Sequence, residues 1–215
     1  PTQNTPGLPK LQGKAVVQID TTKGPIVVEL DGENAPLTAG NFVDLVKRGF
    51  YDGLTFHRVE PGFVIQGGDP LGNGTGGFID PAARQERTIP LEIRTTTRTA
   101  KGLQPDRILY GRTFADAAFS PLQTPPVLTH RRGVIAMARS AYPDSASSQF
   151  YITLADTSAL DGSYAVFGRV LKGMETVDKI QVGDKMASLK VISGGTFVVP
   201  PAAPPAPQKT APSTP

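Results

Sequence analysis

The stretch Val17-Gln18-Ile19-Asp20-Thr21-Thr22-Lys23-Gly24-Pro25-Ile26-Val27-Val28-Glu29-Leu30 reads as two strands joined by a turn. Val17 and Ile19 alternate with Gln18 and Asp20, and Ile26, Val28 and Leu30 alternate with Val27 and Glu29. Each run therefore offers one apolar and one more polar face, the two-residue period of a half-buried strand. Thr21 to Pro25 supply the turn chemistry between them, so the pair predicts a β-hairpin. Working outward, strand-like runs recur at 54–59, 63–66, 133–138, 149–153, 164–170, 187–192 and 196–199. Many short strands separated by Gly- and Asp-containing turns predict a mainly β chain, a barrel or a sandwich. A helix is predicted on Phe42, Leu45 and Val46, with Thr38 as its cap, Lys47 and Arg48 at its negative end and Gly49 as its stop. A shorter one is expected at 174–180, where Met174, Val177 and Ile180 recur at helical spacing.

Residues 79–129 break the pattern. They are rich in Arg, Thr and Pro, and only 89–93 and 107–110 resemble strands, so this part reads as a long insertion of the functional kind. The ends differ again. Ten of the 21 prolines fall in residues 1–13 and 200–215. The expected organisation is an N-terminal extension at 1–13, one folded domain at 14–199, and a Pro-rich tail at 200–215 in extended polyproline form.

Composition removes whole classes of chemistry. The chain has 215 residues, 22 Lys+Arg against 19 Asp+Glu, two His and no Cys or Trp. Without cysteine there is no disulfide framework, thiolate nucleophile or Cys-ligated metal site. A net charge of +3 without a basic block gives no reason to expect nucleic-acid binding. No apolar run approaches the ~20 residues of a membrane-spanning helix. No metal or cofactor is expected, since two histidines and no clustered carboxylates provide no ligand set.

Single residues narrow the field further. His57 lies within a predicted strand and is expected to be a hydrogen-bonded structural residue. His130, beside Arg131 and Arg132, reads as a solvated surface histidine, and no G-x-S-x-G elbow accompanies either. The glycine-rich run from Gly67 to Gly77 lacks the Lys-Ser/Thr and the following helix of a phosphate loop, so it reads as a tight β-connection. In 149–153 the two-residue period puts Gln149, Tyr151 and Thr153 on one face and Phe150 and Ile152 on the other. An amide beside an aromatic ring suits a peptide: the amide fixes backbone groups while the ring walls an apolar pocket.

The segment Phe56-His57-Arg58-Val59, followed by Phe63-Val64-Ile65-Gln66-Gly67-Gly68-Asp69, resembles the signature of the cyclophilins, the peptidyl-prolyl cis–trans isomerases. Ala35-Pro36 with Asn41-Phe42, Gly74-Thr75-Gly76-Gly77, Met137-Ala138, Ser148-Gln149-Phe150, Leu160-Asp161-Gly162 and Val166-Phe167-Gly168 agree in the same order. The resemblance covers about residues 14–195. It implies a closed eight-stranded antiparallel barrel capped by two α-helices. Matched position by position, Arg58 takes the place of the catalytic arginine. Phe63, Met137, Tyr151 and Leu160 fall where the family forms its proline pocket, and Tyr164 at its rim. Gln66, Ala138, Arg139 and Gln149 fall where it binds the substrate backbone.

The departures carry expectations of their own. Ala159 stands where many members have a large aromatic, implying weak cyclosporin binding; Tyr151 replaces a Phe, and Arg139 an Asn. The long insertion resembles that of the lumenal cyclophilins of cyanobacteria and chloroplasts. That likeness, the absence of Cys and the opening on Pro1 rather than Met imply export to a periplasm or thylakoid lumen. Implied partners are Xaa-Pro-containing polypeptides, with no nucleic acid, no membrane embedding and a monomeric state. A different class of reading stays open, a non-catalytic module that docks a proline-containing loop of a partner complex.

Overall fold

The alternating runs become strands in the computed structural model, which describes residues 7–198. In chain order the elements are β1 (Lys10–Thr21), β2 (Gly24–Asp31), α1 (Pro36–Lys47), β3 (Phe56–Glu60), β4 (Val64–Gly67), β5 (Ile79–Asp80), β6 (Gln85–Glu86), β7 (Glu92–Thr99) and β8 (Gly102–Tyr110). There follow β9 (Val134–Met137), β10 (Phe150–Thr153), a 3₁₀ turn (Ser158–Leu160), β11 (Val166–Lys172), α2 (Met174–Val177) and β12 (Met186–Val198). The two runs expected at 187–192 and 196–199 are thus one strand, bent where Gly194 and Gly195 take positive φ. The Pro-rich tail at 200–215 lies outside the described residues.

Eight strands form one antiparallel sheet in the order β12-β1-β2-β11-β9-β10-β4-β3. The sheet curls until its edges touch at the Thr55–Lys185 bridge, where Phe56 N–H donates to Asp184 O at 2.9 Å and Met186 N–H to Leu54 O at 2.9 Å. The expectation of a closed barrel is corrected to this extent: the meeting is a short bridge flanked by turns, not a continuous ladder. The concave side is the main core. There Phe42 of α1 packs edge-on against Phe150 at 5.2 Å and tilted against Phe167 at 5.3 Å, with Phe56, Leu30 and Ile152 around them. The other helix, α2, is one turn, shorter than its apolar spacing predicts.

Thr38 is not the cap of α1. The helix begins at Pro36 and its free N–H groups are taken by a distant carboxylate, Glu92 at the start of β7. Leu37 N–H donates to Oε1 at 3.1 Å, and Thr38 N–H and Oγ1–H donate to Oε2 at 2.8 and 2.9 Å. This carboxyl at the positive end of the helix ties the insertion to the barrel. Burial raises the Glu92 carboxyl to about 7, with the Thr38 and Leu37 N–H groups pulling the other way.

An unfolded glutamate titrates near 4.3, so the folded state binds this proton more tightly. The group's contribution to stability is therefore full below about pH 4 and is lost as pH rises through about 7. The shift corresponds to roughly 4 kcal/mol at about 1.4 kcal/mol per pH unit. Urea midpoints of wild type and Glu92→Gln at pH 4.5 and 7.5 check this. The wild type should lose more stability across that interval than the variant; parallel losses would contradict it.

The insertion holds more regular structure than its sequence shows. β7 and β8 pair along their length into a hairpin, Glu92 opposite Tyr110 and Thr99 opposite Gly102. Its distal half, 97–107, is exposed residue after residue. A strand solvated on both sides has no reason to alternate, so the sequence carries no two-residue period there.

Candidate functional site

The site lies on the convex face of the sheet, and a bulge puts the cation there. Phe56 opposes Gly67, yet Arg58 opposes Gln66, so His57 is an extra residue in β3. In a regular strand Phe56 and Arg58 would share a face. The bulge re-phases β3: Phe56 and Val59 join the interior core, while Arg58 and Glu60 emerge on the outside. From there the pairing register sets a row across four further strands, Arg58 opposite Gln66, Gln66 opposite Tyr151, Tyr151 opposite Ala136 and Ala136 opposite Val166.

The polar half of the row is a chain of hydrogen bonds. Arg58 Nη1 donates to Gln66 Oε1 at 3.2 Å, Gln66 Nε2 to Gln149 Oε1 at 3.0 Å, and Gln149 Nε2 to Gly76 O at 2.8 Å. Arg58 also faces Glu60 at 3.4 Å, but both side chains are about half exposed (46% and 51%). Such a surface pair is worth at most about 1 kcal/mol and leaves the guanidinium free to turn toward a ligand. Gln66, Gln149, Ala138 and Arg139 line a groove of about 330 Å³, completed by Glu86 and Thr88 of the insertion and by Ser147.

The glycine-rich run builds the groove's far bank. Asp69 accepts N–H bonds from Leu71 (2.8 Å), Asn73 (2.9 Å) and Gly74 (2.5 Å). Burial alone would raise its pKa; the N–H groups of Leu71, Gly74 and Asn73 outweigh that and hold it below the usual range. A Cβ on Gly76 would lie 2.2 Å from Asp69 Oδ1, so only glycine lets this backbone approach and offer its carbonyl to Gln149.

The apolar half of the row is a second hydrophobic cluster, separate from the interior core. Val64, Val134, Ala136, Tyr151 and Val166 form its base, with Phe63, Ala138, Leu160 and Tyr164 packed around them. Tyr151 and Tyr164 meet edge-to-face at 6.0 Å. Phe63, Tyr151, Leu160 and Tyr164 are thus brought together beside Arg58, Gln66, Gln149 and Ala138.

Two expected site residues behave differently. Met137 is 1% exposed and belongs to the interior core. In β9 the residues facing the site are Val134 and Ala136, and alternation turns Met137 inward, so it does not line the pocket. Val64, two residues from Gln66 on the same face of β4, takes that place; the strand's period already carries this signal. Arg139 is spent internally: Nε and Nη2 donate to Ser163 O at 3.0 and 2.8 Å, Nη1 to Ser140 O at 2.8 Å, and its plane covers Tyr164 at 4.7 Å. It braces the rim.

Both histidines depart from expectation. Both ring nitrogens of His57 are shielded from solvent and neither has a well-formed hydrogen bond among the described residues; burial lowers its pKa, with Asp69 and Gln149 pulling the other way. His130 is not on the surface. It is 1% exposed, its pKa lowered by burial against the opposing pull of Asp161. Among the described residues no cluster of three or more metal-ligating side chains exists. The site offers one half-exposed guanidinium, amide and carbonyl groups for a peptide backbone, and an apolar pocket.

The model of the cyclophilin type peptidyl-prolyl cis-trans isomerase family matches residues 16–194. A Synechocystis sp. protein, whose name describes a thylakoid lumen peptidyl-prolyl cis-trans isomerase, is 45% identical over 201 residues, covering 89% of this chain and 50% of its own length. A chloroplastic peptidyl-prolyl cis-trans isomerase of Arabidopsis thaliana is 38% identical over 203 residues, covering 87% of this chain and 44% of its own. The chain therefore spans about half the length of these two relatives. Among solved structures, a Cryptosporidium parvum cyclophilin crystallised in the presence of the dipeptide Ala-Pro superposes with a TM-score of 0.59 at 26% identity, over 83% of this chain and 99% of that one.

Proposed function

The chain belongs to the cyclophilin-type peptidyl-prolyl cis–trans isomerases, and from that premise we propose that its convex groove catalyses rotation about Xaa-Pro peptide bonds. The carrying observation is the row itself: a half-exposed guanidinium, hydrogen-bonded to Gln66, beside the Phe63–Tyr151–Leu160–Tyr164 pocket. Phe63, Val64, Tyr151, Leu160 and Tyr164 hold the prolyl ring. Gln66, Gln149 and Ala138 engage the backbone preceding it, with Arg139 fixing the rim.

No covalent bond is broken. The planar amide resists rotation with a barrier near 18–20 kcal/mol. As it twists, resonance is lost, the prolyl nitrogen becomes pyramidal, and a lone pair appears that the planar form does not offer. Arg58, always charged and with fixed donors, gives that nitrogen a hydrogen bond. Because the bond exists chiefly in the twisted state, it raises turnover more than it tightens binding.

The isomerase unit expected at 14–199 is extended back to Lys10, where β1 begins and pairs with β12, with 200–215 taken as a spacer. The exposed Ala159, small where an inhibitor would meet an aromatic, implies weak cyclosporin binding. The substrates are Xaa-Pro segments of unfolded or assembling polypeptides in an exported compartment, and the unit acts as a monomer. The names carried by the two half-matching relatives, one of the thylakoid lumen and one chloroplastic, support a lumenal setting. A protease-coupled assay on a short Xaa-Pro peptide tests the activity. Acceleration by roughly 10⁴-fold, about 6 kcal/mol off the barrier, is expected. Peptide capture without acceleration would make the groove a docking site.

A further inference from the structure

Behind the apolar pocket, three polar side chains form a connected chain that the reaction itself does not call for. His130 Nδ1 lies 2.8 Å from Asp161 Oδ1, and Nε2 lies 2.9 Å from the Tyr151 hydroxyl. The two rings are nearly parallel, 14° apart. Asp161 Oδ1 also accepts the His130 backbone N–H at 2.7 Å, and His130 O accepts Thr157 N–H at 2.8 Å. Both ends of the chain reach the pocket. Tyr151 is part of its base, and Leu160, the residue before Asp161, is part of its wall.

The donor and acceptor roles follow from the groups. An ionised carboxylate only accepts, so Nδ1 of the neutral imidazole carries the proton and Nε2 is left bare. The Tyr151 hydroxyl, kept protonated by burial, donates to it. A hydroxyl buried at this depth without a partner is costly, so the pocket tolerates Tyr at 151 because His130 accepts from it. His130 in turn is held by residue 161 through both its ring and its backbone.

We propose that His130 and Asp161 are positioning residues of the proline pocket: Asp161 orients the imidazole, and the imidazole, through the Tyr151 hydroxyl, fixes the spacing between the Tyr151 ring and Leu160. This rests on the reading of that cluster as the proline pocket. The consequence is specific to binding. Loosening the chain should widen the pocket and weaken capture of the prolyl ring, while Arg58, outside the chain, keeps its step.

The test is steady-state isomerisation of an Xaa-Pro peptide by wild type, His130→Leu, Tyr151→Phe, the double variant and Phe63→Ala. His130→Leu should raise KM about tenfold with kcat within about twofold, the scale of a disturbed apolar pocket. Tyr151→Phe cuts the same link and should also raise KM. Because both substitutions break one chain their effects should not add: the double variant should stay within about twofold of the larger single effect. A double variant worse than that, or an unchanged KM in His130→Leu, overturns the proposal. Phe63→Ala separates this failure from that of the pocket reading. If it raises KM while His130→Leu does not, only the positioning role of His130 and Asp161 is refuted; if it leaves KM unchanged, the pocket lies elsewhere. Where a His130 variant does not fold, ¹⁵N NMR of the wild-type imidazole decides: a proton on Nδ1 and a bare Nε2 are expected, and a proton on Nε2 overturns the chain.

Discussion

Arg58→Ala is expected to lower kcat on an Xaa-Pro peptide by about 10²–10³-fold, the loss typical of removing one donor aimed at transition-state charge. KM should change little, because the planar substrate gives the guanidinium no nitrogen lone pair to engage. The fold should survive. The side chain is 46% exposed and its partners are an exposed Glu60 and the Gln66 amide, which stays bonded to Gln149. The thermal midpoint and circular dichroism should therefore match wild type. Arg58→Lys should recover little of the lost turnover, since an ammonium is a compact, mobile charge without the planar fork that holds both Gln66 and the substrate. Wild-type turnover in Arg58→Ala would remove this residue from the reaction.

Phe63→Ala should act on the other parameter. Phe63 is half-buried and packs against the Val64–Tyr151–Val166 cluster, in the wall proposed to hold the prolyl ring. Its backbone bonds, Phe63 N–H to Glu60 O at 3.0 Å and Leu154 N–H to Phe63 O at 2.8 Å, do not depend on the ring. Truncation therefore removes pocket wall without unpicking the strand. Losing about 2 kcal/mol of apolar burial predicts a KM increase of roughly 30-fold, with kcat largely kept. Steady-state kinetics over a peptide concentration series reads this directly, and an unchanged KM would move the prolyl ring to another part of the face.

Much of this arrangement is legible in the residues, and what is not has a physical reason. Strands with one buried face announce themselves by alternation, so β2 appears near its true place and β1 from Val17 on, although β1 begins at Lys10, inside the stretch that reads as an extension. β4 and β10, buried on both faces, show as short runs. Alternation also explains why Tyr151 and Gln149 reach the site together. The bulge at His57 is invisible to the same rule. Strict alternation puts Arg58 on the face of Phe56, whereas the structure turns it outward with one inserted residue. Family likeness, not periodicity, marks Arg58.

Long-range partners are the other blind spot. Nothing near Thr38 reveals that Glu92, 54 positions on, completes the first turn of α1. The two arginines after His130 suggest solvent, yet the ring is drawn inward by Asp161 and Tyr151, both distant in sequence. Met137 errs in the opposite direction. A family block places it near the pocket, and the phase of its own strand, read from Ile135 and Ala136, already turns it into the core. The polar hairpin of β7 and β8 escapes because neither of its distal faces is buried.

The most direct test of the central claim is exchange NMR on an Xaa-Pro peptide with substoichiometric wild-type protein and then with Arg58→Ala. With wild type, cis and trans resonances should exchange far faster than the tens to hundreds of seconds of the free peptide. With the variant, the peptide signals should still shift on binding while the accelerated exchange disappears. Equal exchange with both proteins would contradict the account.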